Sequence, residues 1–238
     1  RRPPRSTLFP YTTLFRSDLK EWRNAGADRY LLRFETSDEE LYRRIHPDRP
    51  GIVSDRLAML SRLREFGYEV GTGVMIGIPD QSYRALAKDI ALFREMDVDM
   101  IGIGPFIANP NTPLGALEAQ SRLPASDQVP NTEAMTYKAL ALTRIVCPLT
   151  NIPATTALAT INRTDGREQG LKSGANIVMP NLTPIHYREM YEIYPGKACV
   201  NETADVCQKC LRGRIESIGR SVGSGRGDSR NKTKRGTD

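Results

Sequence analysis

The sequence predicts an α/β fold, a parallel sheet with helices outside it, forming part of a (β/α)8 barrel of the TIM type. Three observations carry this. Apolar strand-like runs alternate with helical patterns in units of about 30 residues, the size of a βα repeat. The runs are apolar throughout, as in MIGIG at 100–104, which suits parallel strands covered on both faces. A doubly wound sheet would place a phosphate-binding glycine turn between strand and helix, whereas Gly71, Gly73 and Gly77 have the wrong spacing and fall inside a strand. About five strands are readable where closure needs eight, so the N-terminal βα units, roughly three, are expected to be lacking.

Taken in order, residues 18–25 read as a helix end closed by Gly26. A short strand at 30–32 ends in Arg33-Phe34-Glu35. Ser37, with Glu40 three residues on, makes a capping box for a helix that breaks at His46-Pro47. The next helix, 55–66, has Leu57, Leu60, Leu63 and Phe66 at helical spacing and Gly67 as its stop. Strand 68–78 leads to helix 82–96, and strand 98–103 exits through GPFIANPNTPLG, a connection of the length that carries function in compact domains. Helix 131–146, a strand at 151–155, a short helix at 167–172 and a strand at 176–179 complete the units.

Residues 7–17, TLFPYTTLFRS, resemble the conceptual translation of a DNA-sequencing adapter, so 1–17 are set aside as a non-native artefact. The expected organisation is therefore an adapter-like 1–17, the C-terminal part of a barrel over 18–198, a cysteine-rich accessory segment at 199–210 and a basic flexible tail over 211–238. The net charge of +6 is confined to the ends: four arginines without an acid in 1–17, and eight Lys/Arg against three acids in 211–238, leaving the body at −3. No basic, aromatic-studded face emerges from that body, so no nucleic-acid partner is expected. The absence of any long apolar run argues against a membrane, and a cytoplasmic location is expected.

Arg33 and Glu35 lie two residues apart at a strand end and point the same way. Burying either charge alone is costly, so they form a mutual ion pair or share a polar ligand. In such a fold the strand C-terminal ends carry the chemistry, and here they are mostly small, uncharged or Pro/Gly. No Ser-His-Asp set is visible, and neither His46 nor His186 has metal-ligand spacing to a partner. A hydrolase is hard to build from this inventory, whereas a bound cofactor with its own chemistry suits it. Near the end, Cys199, Cys207 and Cys210 form C-x7-C-x2-C, a spacing that favours iron-sulfur or other metal ligation, with zinc or plain reduced thiols as alternatives.

The blocks ADRYLLRFET, GYEVGTGVMIGIPDQ, DVDMIGIGPFIANPNTPLG, NIPATTAL, GANIVMPNLTP and YPGKAC together resemble the radical S-adenosylmethionine (SAM) maturases of FeFe-hydrogenase, relatives of biotin synthase. The resemblance covers residues 18 to about 210 and implies an enzyme with a complete barrel. It implies a 4Fe-4S cluster that reductively cleaves SAM to a 5′-deoxyadenosyl radical, and the C-x3-C-x2-C motif that holds the cluster is absent from this sequence, so the fragment alone is expected to be inactive. Carried over by position, Arg33, Glu35, Arg56 and Met179 would bind SAM, and Pro105, Ile107, Thr155, Thr156 and Tyr194 would line the substrate cavity. Cys199, Cys207 and Cys210 would hold an accessory 2Fe-2S cluster. The implied substrate is an organometallic iron-cysteine small molecule, and the implied partners are other hydrogenase maturation proteins. Phe34 departs from the family pattern, where His is common, but faces away from Arg33 and Glu35. The alternatives are another biotin-synthase-like radical enzyme, such as a methylornithine synthase, or an iron-sulfur scaffold without a radical step.

Overall fold

The computed structural model describes residues 11–46, 55–116, 121–188, 190 and 193–235. In chain order the elements are α1 (Tyr11–Asn24), β1 (Arg29–Leu31), α2 (Glu39–Ile45), α3 (Arg56–Glu65), β2 (Glu69–Ile76), α4 (Tyr83–Glu95), β3 (Met100–Pro105) and α5 (Pro113–Ala116). They continue with α6 (Glu133–Val146), α7 (Thr156–Ile161), α8 (Gly166–Lys172), α9 (Ile185–Arg188), α10 (Ala204–Ser217) and α11 (Arg230–Lys234).

The sheet runs β1-β2-β3, all parallel, with Tyr30 opposite Val70 and Gly73 opposite Gly102. Parallel bridges Met100–Asn151, Ile103–Ala154 and Pro153–Ile177 extend it in the same order. The two further strands expected at 151–155 and 176–179 are thus present in position and direction but reduced to isolated bridges. Two features explain this: Pro153 has no amide to donate, and the Asn176 side chain takes the Ile152 amide at 2.8 Å, where a ladder would use a carbonyl.

Outward-facing strand residues Val70, Val74, Ile101 and Ile103 pack under the helices with Leu63, Phe93 and Leu140. The opposite face is floored by Gly71, Gly73, Gly102 and Gly104, by strand alternation. Gly73 is required there, because a Cβ would collide with the Gly102 carbonyl oxygen.

Three boundaries differ from expectation for local reasons. Asp38, not Ser37, caps α2, its carboxylate accepting from the Leu41 amide at 2.9 Å, while the Ser37 amide donates to Asp89. Helix α1 runs unbroken across residue 17, with Leu19 fully buried and its carbonyl accepting from the Tyr68 hydroxyl at 2.6 Å. Helix α10 extends through Cys207 and Cys210, started by the Thr203 side chain accepting from the Val206 amide.

Where a flexible tail is expected over 211–238, residues 226–235 pack on the N-terminal end of the sheet. That end is acidic: Glu69 and Asp99 are both buried, and Asp99 accepts from the Val70 amide at 2.9 Å. Arg235 pairs with Asp97 and Asp99, Lys232 lies 3.6 Å from Glu69, and Arg29 bridges Glu69 and Asp228. Buried Asn231 donates to the Val98 carbonyl at 2.9 Å and the Thr150 hydroxyl at 3.1 Å. The tail's basic composition, read alone, resembles disorder; opposite buried carboxylates it is complementary charge. Asn231→Ala removes two buried hydrogen bonds, while the Thr150 hydroxyl still donates to the Val98 carbonyl at 3.0 Å, and at about 0.5–1.5 kcal/mol per bond should cost about 1–3 kcal/mol of stability, seen as a lower urea midpoint. An unchanged midpoint would mean that the tail does not dock.

Candidate functional site

β1 stops at Leu31, but its pairing continues: the Leu32 amide donates to the Gly71 carbonyl at 2.9 Å and the Glu35 amide to the Gly73 carbonyl at 3.0 Å. Glu35 makes that last contact with a left-handed backbone, φ 67°, a conformation costing a non-glycine residue about 1 kcal/mol or more. Its side chain turns back to Arg33, with Nε 3.0 Å from Oε1. Arg33 also donates to the Val74 carbonyl and lies over the glycine floor, 3.9 Å from where a Gly102 Cβ would stand. Arg56, at the first position of α3, donates to the Arg33 carbonyl at 2.5 Å, with its guanidinium 5.9 Å from the Tyr42 ring centre.

Burial pushes the Glu35 carboxyl above its ordinary range, while the charges of Arg33 and Arg56 oppose the rise. Its second oxygen, Oε2, is buried without a hydrogen-bond partner among the described residues. Arg33 and Glu35 do pair, and the pair leaves one carboxylate oxygen without a partner among the described residues. Such an oxygen costs stability unless a ligand's donor satisfies it.

The expected cavity residues gather on the neighbouring strand ends. Pro105 ends β3 and is buried, and Ile107 follows it half-buried. Thr155 is buried with Oγ1 unpartnered, standing 3.0 Å from where a Gly104 Cβ would lie. Thr156 begins α7 one residue later, and its carbonyl accepts from Thr160. Tyr194 is half-buried and hydrogen-bonded to Thr160; burial raises its phenol, while that hydrogen bond and the charges of Arg167 and Arg33 act against the rise. Asn109, in the β3 exit, donates to the Ile193 carbonyl at 3.1 Å and ties that exit to the segment carrying Tyr194. Met179 leaves the fifth strand position largely exposed.

The cysteines do not converge. Among the described residues no three His, Cys, Asp or Glu side chains are placed to hold a metal ion. Cys199 sits in a left-handed turn, φ 63°, with Sγ 3.5 Å from an Arg167 guanidinium nitrogen. Cys207 is buried against the core from α10, and Cys210, one turn on, is exposed beside Arg214. The three thiols expected to form one metal set are thus not gathered in this structure: two lie on α10, and the third faces an arginine.

Three contributors escape sequence reasoning. His46, read as a loop residue, stacks on Tyr42 at 4.3 Å, and burial together with the Arg56 charge keeps its imidazole below the usual range. Arg188 is buried and donates to the carbonyls of Asn181, Thr183 and Cys199, shaping the segment that follows the last strand. Asp89 is fully buried on α4 behind the β1 exit. The signal for Asp89 was a lone acid on an apolar helix face, between Leu86, Ile90 and Phe93.

Cys147 is buried, and burial pushes its thiol up to about 11. Because the thiolate is the nucleophile, iodoacetamide at pH 8 should modify exposed Cys210 well before Cys147, which should react only on unfolding. Equal rates by peptide mass spectrometry would contradict the packing described.

Comparison with known proteins places this arrangement. The Radical SAM superfamily matches residues 5–93. The FeFe hydrogenase maturase subunit HydE of Thermotoga maritima is 45% identical over 204 residues, 86% of this chain and 55% of the relative. The 3-methylornithine synthase of Methanosarcina acetivorans is 28% identical over 156 residues, 66% of this chain and 40% of the relative. Among solved structures, methylornithine synthase (PylB) superposes with TM-score 0.64 at 24% identity, covering 88% of this chain and 56% of that one. HydG, a maturase of the FeFe-hydrogenase, superposes with TM-score 0.60 at 20% identity, covering 85% and 42%. At these identities the two structures speak for the fold, a parallel-stranded partial barrel. The chain spans about half the length of the curated relatives it matches.

Proposed function

We propose, from the premise that this chain belongs to the radical SAM superfamily and is a homologue of a HydE maturase, that its strand-end cavity binds SAM for assembly of the FeFe-hydrogenase di-iron site. The observation that carries the reading is the unused Oε2 of Glu35, buried between two arginines on a glycine floor. SAM presents an ammonium, a carboxylate and ribose hydroxyls, groups that such acceptors and cations match. Glu35 would accept from the ammonium or ribose, Arg33 and Arg56 would offset the carboxylate, and Met179 would lie along the adenosine.

When bound, SAM supplies on one-electron reduction a 5′-deoxyadenosyl radical and methionine. The superfamily's 4Fe-4S cluster needs a C-x3-C-x2-C set that this sequence does not contain. This chain's residues bind, orient and exclude water. Pro105, Ile107, Thr155, Thr156 and Tyr194 would form the cavity for an organometallic iron-cysteine substrate, with Thr155 Oγ1 and the Tyr194 hydroxyl as its polar contacts. The accessory 2Fe-2S cluster does not fit the cysteines as placed, since Cys199 is held apart by Arg167. We read 1–17 as adapter-derived and the protein as a cytoplasmic one acting with other maturation proteins; none of its described helices is long and apolar enough to cross a membrane. Another biotin-synthase-like reaction, methylornithine synthesis, is the second reading, favoured by the PylB superposition and disfavoured by the higher identity to HydE.

Each charged hydrogen bond contributes about 1.5–3 kcal/mol, so Glu35→Ala or Arg56→Ala should weaken SAM binding tenfold to a hundredfold in equilibrium dialysis. Unchanged affinity in both variants would leave the pair structural and the reading unsupported.

A further inference from the structure

The β1 exit is gripped from behind at two points by one face of α4. Phe93 packs on Phe34, ring centres 5.5 Å apart, and one turn earlier Asp89 Oδ1 accepts the Ser37 amide at 2.6 Å. Phe34 and Ser37 bracket Glu35. On the sheet side the same stretch is fixed by the Glu35 amide on the Gly73 carbonyl. The left-handed turn at Glu35, a conformation costly for a non-glycine residue, is therefore held from both flanks.

Asp89 is costly where it stands. It is fully buried, faces no cation that pairs with it, and its Oδ2 has no hydrogen-bond partner among the described residues. A carboxylate is the wrong residue for this apolar helix face unless its acceptor is needed. We propose that Asp89 is a positioning residue for SAM binding: by fixing the Ser37 amide it keeps Glu35 in its left-handed turn with its carboxylate aimed into the cavity. The proposal rests on the SAM reading above.

The stability ledger supports this. Burial pushes the Asp89 carboxyl up to about 6, opposed by the hydrogen bonds from Ser37 and Thr36 and reinforced by the Asp38 charge at the cap of α2. The folded state thus holds this proton more tightly than the unfolded chain does. The group's contribution to stability falls as pH rises from about 4 to about 6, and the deficit persists at higher pH. Removing the buried charge at pH 8 offsets the loss of the Ser37 amide's acceptor, and thermal melts separate a loss of binding from a loss of folding.

The test is equilibrium dialysis of SAM at pH 8 against the chain and its Asp89→Leu, Asp89→Asn and Glu35→Ala variants, with thermal melts of each. Asp89→Leu should melt within a few degrees of the unsubstituted chain and raise the dissociation constant at least tenfold. Asp89→Asn keeps an acceptor for the Ser37 amide and should stay within threefold. If Glu35→Ala weakens binding and a folded Asp89→Leu does not, the positioning role is overturned while the SAM site stands. If Glu35→Ala binds normally, the SAM reading itself falls. Should Asp89→Leu not fold, amide hydrogen exchange of the unsubstituted chain decides: Ser37 should exchange far more slowly than the exposed 221–227 segment, and comparable rates overturn the proposal.

Discussion

The site depends on one expensive arrangement, a carboxylate and a guanidinium withdrawn from water at the end of a three-residue strand. Arg33 and Glu35 offset each other's burial only in part, since the pair satisfies one carboxylate oxygen and leaves the other bare. What surrounds them follows from that need. The Val74 carbonyl and Arg56 immobilise the arginine and its backbone. Glycines on the facing strands leave room for the long side chains to lie flat, and α4 closes the exit from behind with one aromatic and one acid. A short strand without these supports would not keep a glutamate at φ 67°.

The two ends of the sheet divide the work. At the C-terminal ends polar atoms are left unpaired: Glu35 Oε2 and Thr155 Oγ1. At the N-terminal ends Glu69 and Asp99 are buried too, but there Lys232 and Arg29 lie against Glu69 and Arg235 against Asp99, while Asn231 docks the same segment on the Val98 carbonyl and the Thr150 hydroxyl. Countercharge gathers at the N-terminal end, although Glu69 Oε1 has no hydrogen-bond partner among the described residues, whereas the C-terminal ends are where a barrel places its chemistry.

Much of this was legible in the residues. Apolar runs marked β2 and β3, and Asp55 and Ser82 marked the starts of α3 and α4, because a cap is a local interaction. The alternation at 33–35 put Arg33 and Glu35 on one face, as a mutual pair or as partners of one ligand. What could not be read were choices settled by distant partners. Ser37 looks like a cap, but Asp38 takes that role and the Ser37 amide goes to Asp89, 52 positions away. The last two strands shrink to bridges because the Asn176 side chain competes for the Ile152 amide. The basic tail resembles disorder until its carboxylates are found on strands far earlier in the chain, and C-x7-C-x2-C resembles a metal set until α10 and Arg167 separate its members.

The central claim is that the Arg33–Glu35–Arg56 corner is a SAM site, and a crystal structure of the chain grown with SAM tests it most directly. The account predicts SAM at the β1 exit, with its ammonium or ribose donating to Glu35 Oε2 and its carboxylate within reach of Arg56. SAM bound elsewhere, with the Arg33–Glu35 pair undisturbed and Oε2 still bare, would contradict it.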